Sequence, residues 1–134
     1  LQLGEKYNID KEGYLGQLKY TNKLLQETIT KILLENKITP IIVIHGDHGS
    51  GEVPGWQHLE KQGLKERHSN LVTILLPESN NDVFYETITP VNIFRLIFNN
   101  HFEGEFPILE DKMYGQDPNP PWKFIDVTEI VLEN

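Results

Sequence analysis

Between Pro40 and Gly46 the chain reads Ile-Ile-Val-Ile-His, and it then breaks into GDHGSGEVPG, with glycine at 46, 49, 51 and 55. Four β-branched residues in a row favour a strand. Apolar residues at consecutive positions place apolar groups on both faces, the pattern of a central strand covered on both sides in a parallel α/β sheet. The glycines end the strand, because each permits backbone that a pleated ribbon excludes. Ile41 to Gly51 is therefore expected to be a buried strand that opens directly into a loop, with residues 46 to 69 mostly loop.

The flanking segments give that strand its layers. From Tyr14 to about Asn36, Leu18, Leu25, Ile29 and Ile32 recur at helical spacing, with Lys19, Lys23, Glu27 and Lys31 opposite, which predicts an amphipathic helix packed on a core. Residues 1 to 13 are polar and read as a leading segment. Leu71 to Leu76 predicts a second strand, stopped by Pro77. Thr89-Pro90 predicts a helix start, with threonine as N-cap and proline at the first helical position. Val91, Phe94, Leu96, Ile97 and Phe98 supply its broad apolar face. Phe124, Val127 and Ile130 suggest one or two short strands near the end. The order is helix, strand, loop, strand, helix, short strands, an α/β arrangement within one domain or segment spanning 1–134.

Several function classes drop out on composition. The net charge is −8, so nucleic-acid phosphates would be repelled over most of the surface. There is no cysteine, which removes disulfides, thiolate nucleophiles and cysteine zinc sites. No apolar run approaches the roughly 20 residues needed to span a bilayer. The first residue is Leu1 and the sole methionine is Met113, so the sequence is expected to be part of a longer protein.

Asp47 and His48 are the leading chemical pair, a carboxylate and an imidazole of the kind that divalent metals take together. Consecutive strand residues point to opposite faces, so the two can share a metal only where the strand has already turned. Gly46 and Gly49 allow that turn, and strand ends are where sheet-based sites gather. The plain alternative is a polar turn capped by Asp47. Ser50, Ser69 and Thr21 lack an obvious base. Trp56 either lines a cleft or packs its loop onto the body. His58 and His101 read as solvent-facing.

IIVIHGDHGSG resembles the second metal-binding motif of the alkaline phosphatase and sulfatase superfamily, in the branch of membrane sulfatase-like proteins that includes lipoteichoic acid synthases. YLGQLKYTNKLLQETITKIL before it, ERHSNLVTILLP after it, ITPVNIFRLIFNNHFEGEFPILEDKMYG and DVTEIV are similar to tracts of that branch in the same order. The resemblance implies a partial alkaline-phosphatase-like sandwich, with largely parallel central strands flanked by helices and short strands at the C-terminus.

It also implies that Asp47 and His48 bind the catalytic divalent metal, which is zinc, manganese, calcium or magnesium in that superfamily; a histidine ligand favours zinc or manganese. His45, on the strand before the motif, reads as a structural residue or as one behind the metal ligands, hydrogen-bonded to a nearby carboxylate, and the resemblance implies Arg67 and His68 as contacts to an anionic phosphate or sulfate ester. The family's nucleophile and remaining ligands lie upstream. The implied function is thus the C-terminal segment of a metal-dependent hydrolase or phosphoglycerol-type transferase, inactive alone, whose partner is the upstream half of its own catalytic domain. Membrane association would come through N-terminal helices, with this segment extracytoplasmic. A non-catalytic module that binds an anionic glycan or lipid head group is the alternative.

Overall fold

The computed structural model describes residues 10–77, 83–117, 119–120 and 122–133; most of the predicted leading segment, 1–9, lies outside them, as do Pro118 and Pro121. The chain forms two compact units, Leu1–Pro40 and Ile41–Asn134. It is a mixed α/β protein, with four helices and two small antiparallel sheets among the described residues. None of these helices is long and apolar enough to cross a membrane.

The first unit contains helix α1, Lys11–Glu35. It starts three residues before the apolar periodicity, because the Asp10 side chain caps it by accepting from the Glu12 amide at 3.2 Å. At its end the Asn36 amide donates to the Ile32 carbonyl at 2.7 Å. Exposed pairs Lys23–Glu27 and Lys31–Glu35 run one turn apart along it. Leu25, Ile29 and Ile32 of the predicted stripe are half-buried, whereas Leu18 is exposed. No residue of α1 is buried, however, against the expectation of core packing. Periodicity sets which face is apolar, whereas burial needs a second surface.

The second unit begins with strand β1, Ile42–His45, and its partner β2, Val72–Leu75. They pair antiparallel, Val43 opposite Ile74 and His45 opposite Val72. The parallel neighbour expected for β1 is not found among the described residues. The Gly46 amide donates to the Leu71 carbonyl at 3.0 Å, so β2 starts at the edge where β1 stops. A chain returning to the same edge can only run back along its partner. The apolar run reported cover on the strand's faces, which carries no information about the direction of its neighbour.

Helix α3, Pro90–His101, begins at Thr89-Pro90 as predicted. Its Ile93 and Ile97 form the main core with Leu76, against Ile41, Val43, Ile74, Phe84 and Ile88. The other face of the pair keeps Ile42 and Ile44 half-buried and Leu75 exposed, so two-sided cover is incomplete within the described residues. A smaller core joins helix α2, Lys61–His68, to the C-terminal strands β3, Tyr114–Gln116, and β4, Phe124–Asp126, and to helix α4, Thr128–Leu132. Leu64 and Val127 are buried there. Gly115 leaves room beside Val127, since a Cβ would come within 3.2 Å of its methyl and closer still to Leu59. Lys61 and Lys65 of α2 reach Glu133 just past α4.

Helix α2 and a short 3-10 turn, Trp56–His58, interrupt the region between 46 and 69, which is otherwise loop as predicted. KQGLKERH offers one apolar residue and a glycine, which hides the helical period. Gly63 serves a close approach instead, because any Cβ there would overlap the backbone of Pro54 and Trp56.

Polar groups also hold α3. Thr89 donates its amide to Asp111 at 2.7 Å and its hydroxyl at 2.5 Å, and the Tyr85 hydroxyl donates to the same carboxylate. Asn92, fully buried, donates to the Leu109 carbonyl at 2.8 Å and accepts from the Leu109 amide at 3.0 Å. Burial pushes the Asp111 carboxyl up, and the bonds from Thr89, Tyr85 and Asn92 more than offset it, so its pKa is lowered. Asn92→Ala would orphan both backbone groups of Leu109, and is expected to cost about 2–4 kcal/mol. Urea denaturation checks it; a loss below about 1 kcal/mol would show that water replaces the amide.

Candidate functional site

β1 ends at His45, and Asp47 and His48 lie in the bend beyond it. The condition for a shared ligand is met: His48 Nε2 stands 3.3 Å from Asp47 Oδ2. His48 Nδ1 lies 2.8 Å from the Gly49 carbonyl oxygen. A carbonyl only accepts, so this bond requires the proton on Nδ1 and leaves Nε2 as a lone pair in the neutral ring. The His48 amide donates to Asp47 Oδ1 at 3.0 Å, which fixes the carboxylate as well. Two acceptors at this separation repel unless a proton or a metal cation lies against both. Both side chains are substantially exposed, the carboxylate more so.

The bend is strapped to α2 from below. The Gly49 amide donates to the Arg67 carbonyl at 2.8 Å. A Cβ on Gly49 would overlap the Glu66 carbonyl and stand 2.9 Å from the Ser69 carbonyl, so only glycine lets the two backbones meet. Glu66 accepts from the Gly51 amide at 2.8 Å and from the Ser50 hydroxyl. Asn70 donates to the Gly46 carbonyl. Gly46 and Gly49 thus act through close packing, and the positive φ values fall at Gly51 and Gly55 instead. The Ser50 hydroxyl donates to Glu66 while accepting from the Glu52 amide at 3.3 Å, so a carboxylate that its sequence neighbours did not offer stands beside it.

A cleft of about 720 Å3 opens over this bend, and Asp47, His48, Arg67, His68 and Trp56 all line it. Four of the five site residues expected from the sequence therefore meet in one place. Arg67 Nη1 donates to the Gly49 carbonyl at 3.2 Å, and its guanidinium lies 4.8 Å over the Trp56 ring. His68 anchors Nδ1 2.9 Å from the Leu64 carbonyl oxygen, so in its neutral form it too has Nε2 unprotonated. His45 lies elsewhere. Its Nδ1 is 2.8 Å from the Gly46 carbonyl oxygen and its ring meets Phe94 edge-on at 6.0 Å, so the expected carboxylate partner is replaced by a backbone carbonyl. His58 is exposed as expected, whereas His101 is half-buried with Nε2 shielded.

No family profile, curated protein or solved structure matches the chain.

As a metal site the pair is partial. An imidazole nitrogen and a carboxylate oxygen side by side suit zinc or manganese better than calcium. Among the described residues, however, no group of three or more His, Asp or Glu comes together to hold an ion. Glu66 and Asn70 were not legible as site residues. Each acts on backbone at least 13 positions away, and a lone Glu or Asn carries no pattern that betrays such a bond.

The Ser50 hydroxyl, followed by the amides of Gly51, Glu52 and Val53, holds the Glu66 carboxyl below its ordinary value against the effect of burial. A carboxyl lowered on folding stabilises the fold above its unfolded pKa, and that contribution is lost as pH falls through the folded value. Stability is therefore expected to decline below about pH 4, less steeply in Glu66→Gln, as followed by thermal melting across pH. A decline of equal steepness in the variant would remove Glu66 from that role. Gly49→Ala should lower stability by about 3 kcal/mol, at the upper end for overpacking, in urea titration; a near-neutral result would show that α2 can move away.

Proposed function

We propose that this chain is the C-terminal segment of a metal-dependent phosphate- or sulfate-ester hydrolase, or of a phosphoglycerol-type transferase, of the alkaline phosphatase and sulfatase superfamily. The observation that carries the reading is the 3.3 Å approach of His48 Nε2 to Asp47 Oδ2 at a strand end, with His48 Nδ1 anchored on a carbonyl. That anchoring is how metal-binding histidines are commonly oriented. Asp47 and His48 would hold a divalent metal, zinc or manganese for preference. When bound, such an ion polarises an ester oxygen and favours the ionised form of an attacking hydroxyl.

The chain's own residues account for binding and orientation. Arg67 offers a planar donor fork to the ester's anionic oxygens, and His68 borders the same cleft. The nucleophile and the remaining ligands would come from the upstream half of the catalytic domain. In the same reading β1 belongs to a larger, largely parallel sheet, and the half-buried Ile42 and Ile44 and the exposed Leu75 leave one face of the pair for the upstream half to cover. Upstream membrane helices and an extracytoplasmic position belong to this proposal too. A second reading, a non-catalytic module for anionic glycans or lipid head groups, is favoured by the pairing of only two ligands within the described residues.

Calorimetric titration with zinc and manganese tests the metal assignment. The chain should bind either ion only weakly, with Kd at or above about 1 μM for so few ligands, and Asp47→Ala and His48→Ala should each abolish the heat. Unchanged binding in both variants would sink the assignment; nanomolar zinc affinity would mean a more complete site. In the longer protein, Asp47→Ala should cut metal-dependent ester cleavage by more than about 100-fold, because losing even an outer-shell partner costs 10–100-fold.

A further inference from the structure

Arg67 is unusual among the cations of the cleft. Lys112, which also lines it, is paired with Glu110 at 3.4 Å and Asp126 at 3.3 Å. Arg67 forms no ion pair with any described carboxylate. Its neighbours are neutral: the Gly49 carbonyl at 3.2 Å and the Trp56 ring at 4.8 Å. A guanidinium has five N–H donors and only one of these is committed to that carbonyl, so a half-buried charge retains donors for an anion.

Trp56 is itself held in place. Gly55, at φ 101°, accepts from the His58 and Glu60 amides at 2.8 and 3.0 Å, closing the turn that carries the indole. Gly63 lets α2 seat directly against the Trp56 backbone. Gly51, at φ 74°, passes beside both partners; a Cβ there would lie 3.4 Å from Arg67 Nη1 and 3.5 Å from Trp56 Nε1. A flat aromatic face beneath a planar cation, plus one carbonyl at its edge, fixes the plane of the fork. Fixing it beforehand removes the rotamer entropy that anion binding would otherwise cost.

We infer that Trp56 is a positioning residue, which with the Gly49 carbonyl holds the Arg67 guanidinium ready to take a tetrahedral oxyanion, phosphate or sulfate, beside Asp47 and His48. The inference rests on the ester reading above for the identity of the anion, and extends it to a residue that touches no substrate. The loop that leaves β1 thus carries both halves of recognition, ligands at its start and the support of the anion clamp at its end.

The test uses the whole chain, inorganic phosphate and inorganic sulfate as probes, and chelator to remove metals. Phosphate affinity is read from 31P line widths, and sulfate affinity by calorimetry. Arg67→Lys should weaken binding about tenfold by losing the bidentate fork. Trp56→Leu, which keeps apolar bulk, should weaken it about fivefold, while Trp56→Phe stays within about twofold. Trp122→Phe leaves Trp56 as the sole indole, and its emission should shift on adding either anion, a signature that loop packing alone does not produce. Affinity lost in Arg67→Ala but unchanged in Trp56→Leu would overturn the positioning role and leave the ester reading standing. Absence of binding by the unmutated chain up to about 50 mM of either anion would overturn Arg67 as the anion group together with Trp56 behind it. The metal titrations of Asp47→Ala and His48→Ala test the metal assignment independently, and ester cleavage by Asp47→Ala in the longer protein tests the ester reading.

Discussion

The bend after β1 is held by backbone-to-backbone contact with α2, and the cleft is arranged around that contact. The Gly49 amide reaches the Arg67 carbonyl at 2.8 Å, in a space where no Cβ fits. Several consequences follow from this single approach. It leaves the Gly49 carbonyl free to receive both His48 Nδ1 and Arg67 Nη1. It sets Glu66 under the amides that follow, so that a loop rich in glycine gains fixed partners. It also brings the last turn of α2, with Arg67 and His68, alongside Asp47 and His48. A glycine-rich loop loses much conformational entropy on ordering, and these bonds are what offset that loss.

Around this strap the second unit has two cores with different tasks. Leu76, Ile93 and Ile97 fasten α3 to one face of the β1–β2 pair and so hold the strand that delivers the motif. Leu64 and Val127 fasten α2 to the C-terminal elements and so hold the helix that receives it. Displacement of either core would change the distance between ligands and guanidinium without touching any of them. The buried Asn92 and the Asp111 carboxylate add direction to the first core, because each satisfies backbone groups that a purely apolar contact would leave unpaired.

Local sequence signals fared well where one residue's own backbone decided the outcome. Thr89-Pro90 starts α3, yet the Thr89 hydroxyl turns to Asp111 rather than capping. Here a long-range carboxylate outcompeted the local bond. In α1 the apolar spacing located the helix and missed its first turn, which is polar and is fixed by Asp10. For β1 the apolar run located the strand, and its partner's direction was settled by where the chain returned. For α2 the lone Leu64 was too weak a signal against Gly63, whose purpose appears only when Trp56 is placed beside it.

Sequence alone determined that a strand ends at His45, that glycines follow, and that a carboxylate and an imidazole occupy the turn. Those are matters of β-branching, backbone permissiveness and side-chain chemistry, all carried by neighbouring residues. Tertiary structure alone decided that Asp47 and His48 face each other at 3.3 Å, that Arg67 lies over Trp56, and that Glu66 and Asn70 hold the loop. Each of the last three joins groups 11 to 24 positions apart, and the first depends on the strap they help to form. The physical reason is that a hydrogen bond or a ring contact depends on where two backbones cross, and that crossing is set by both cores together.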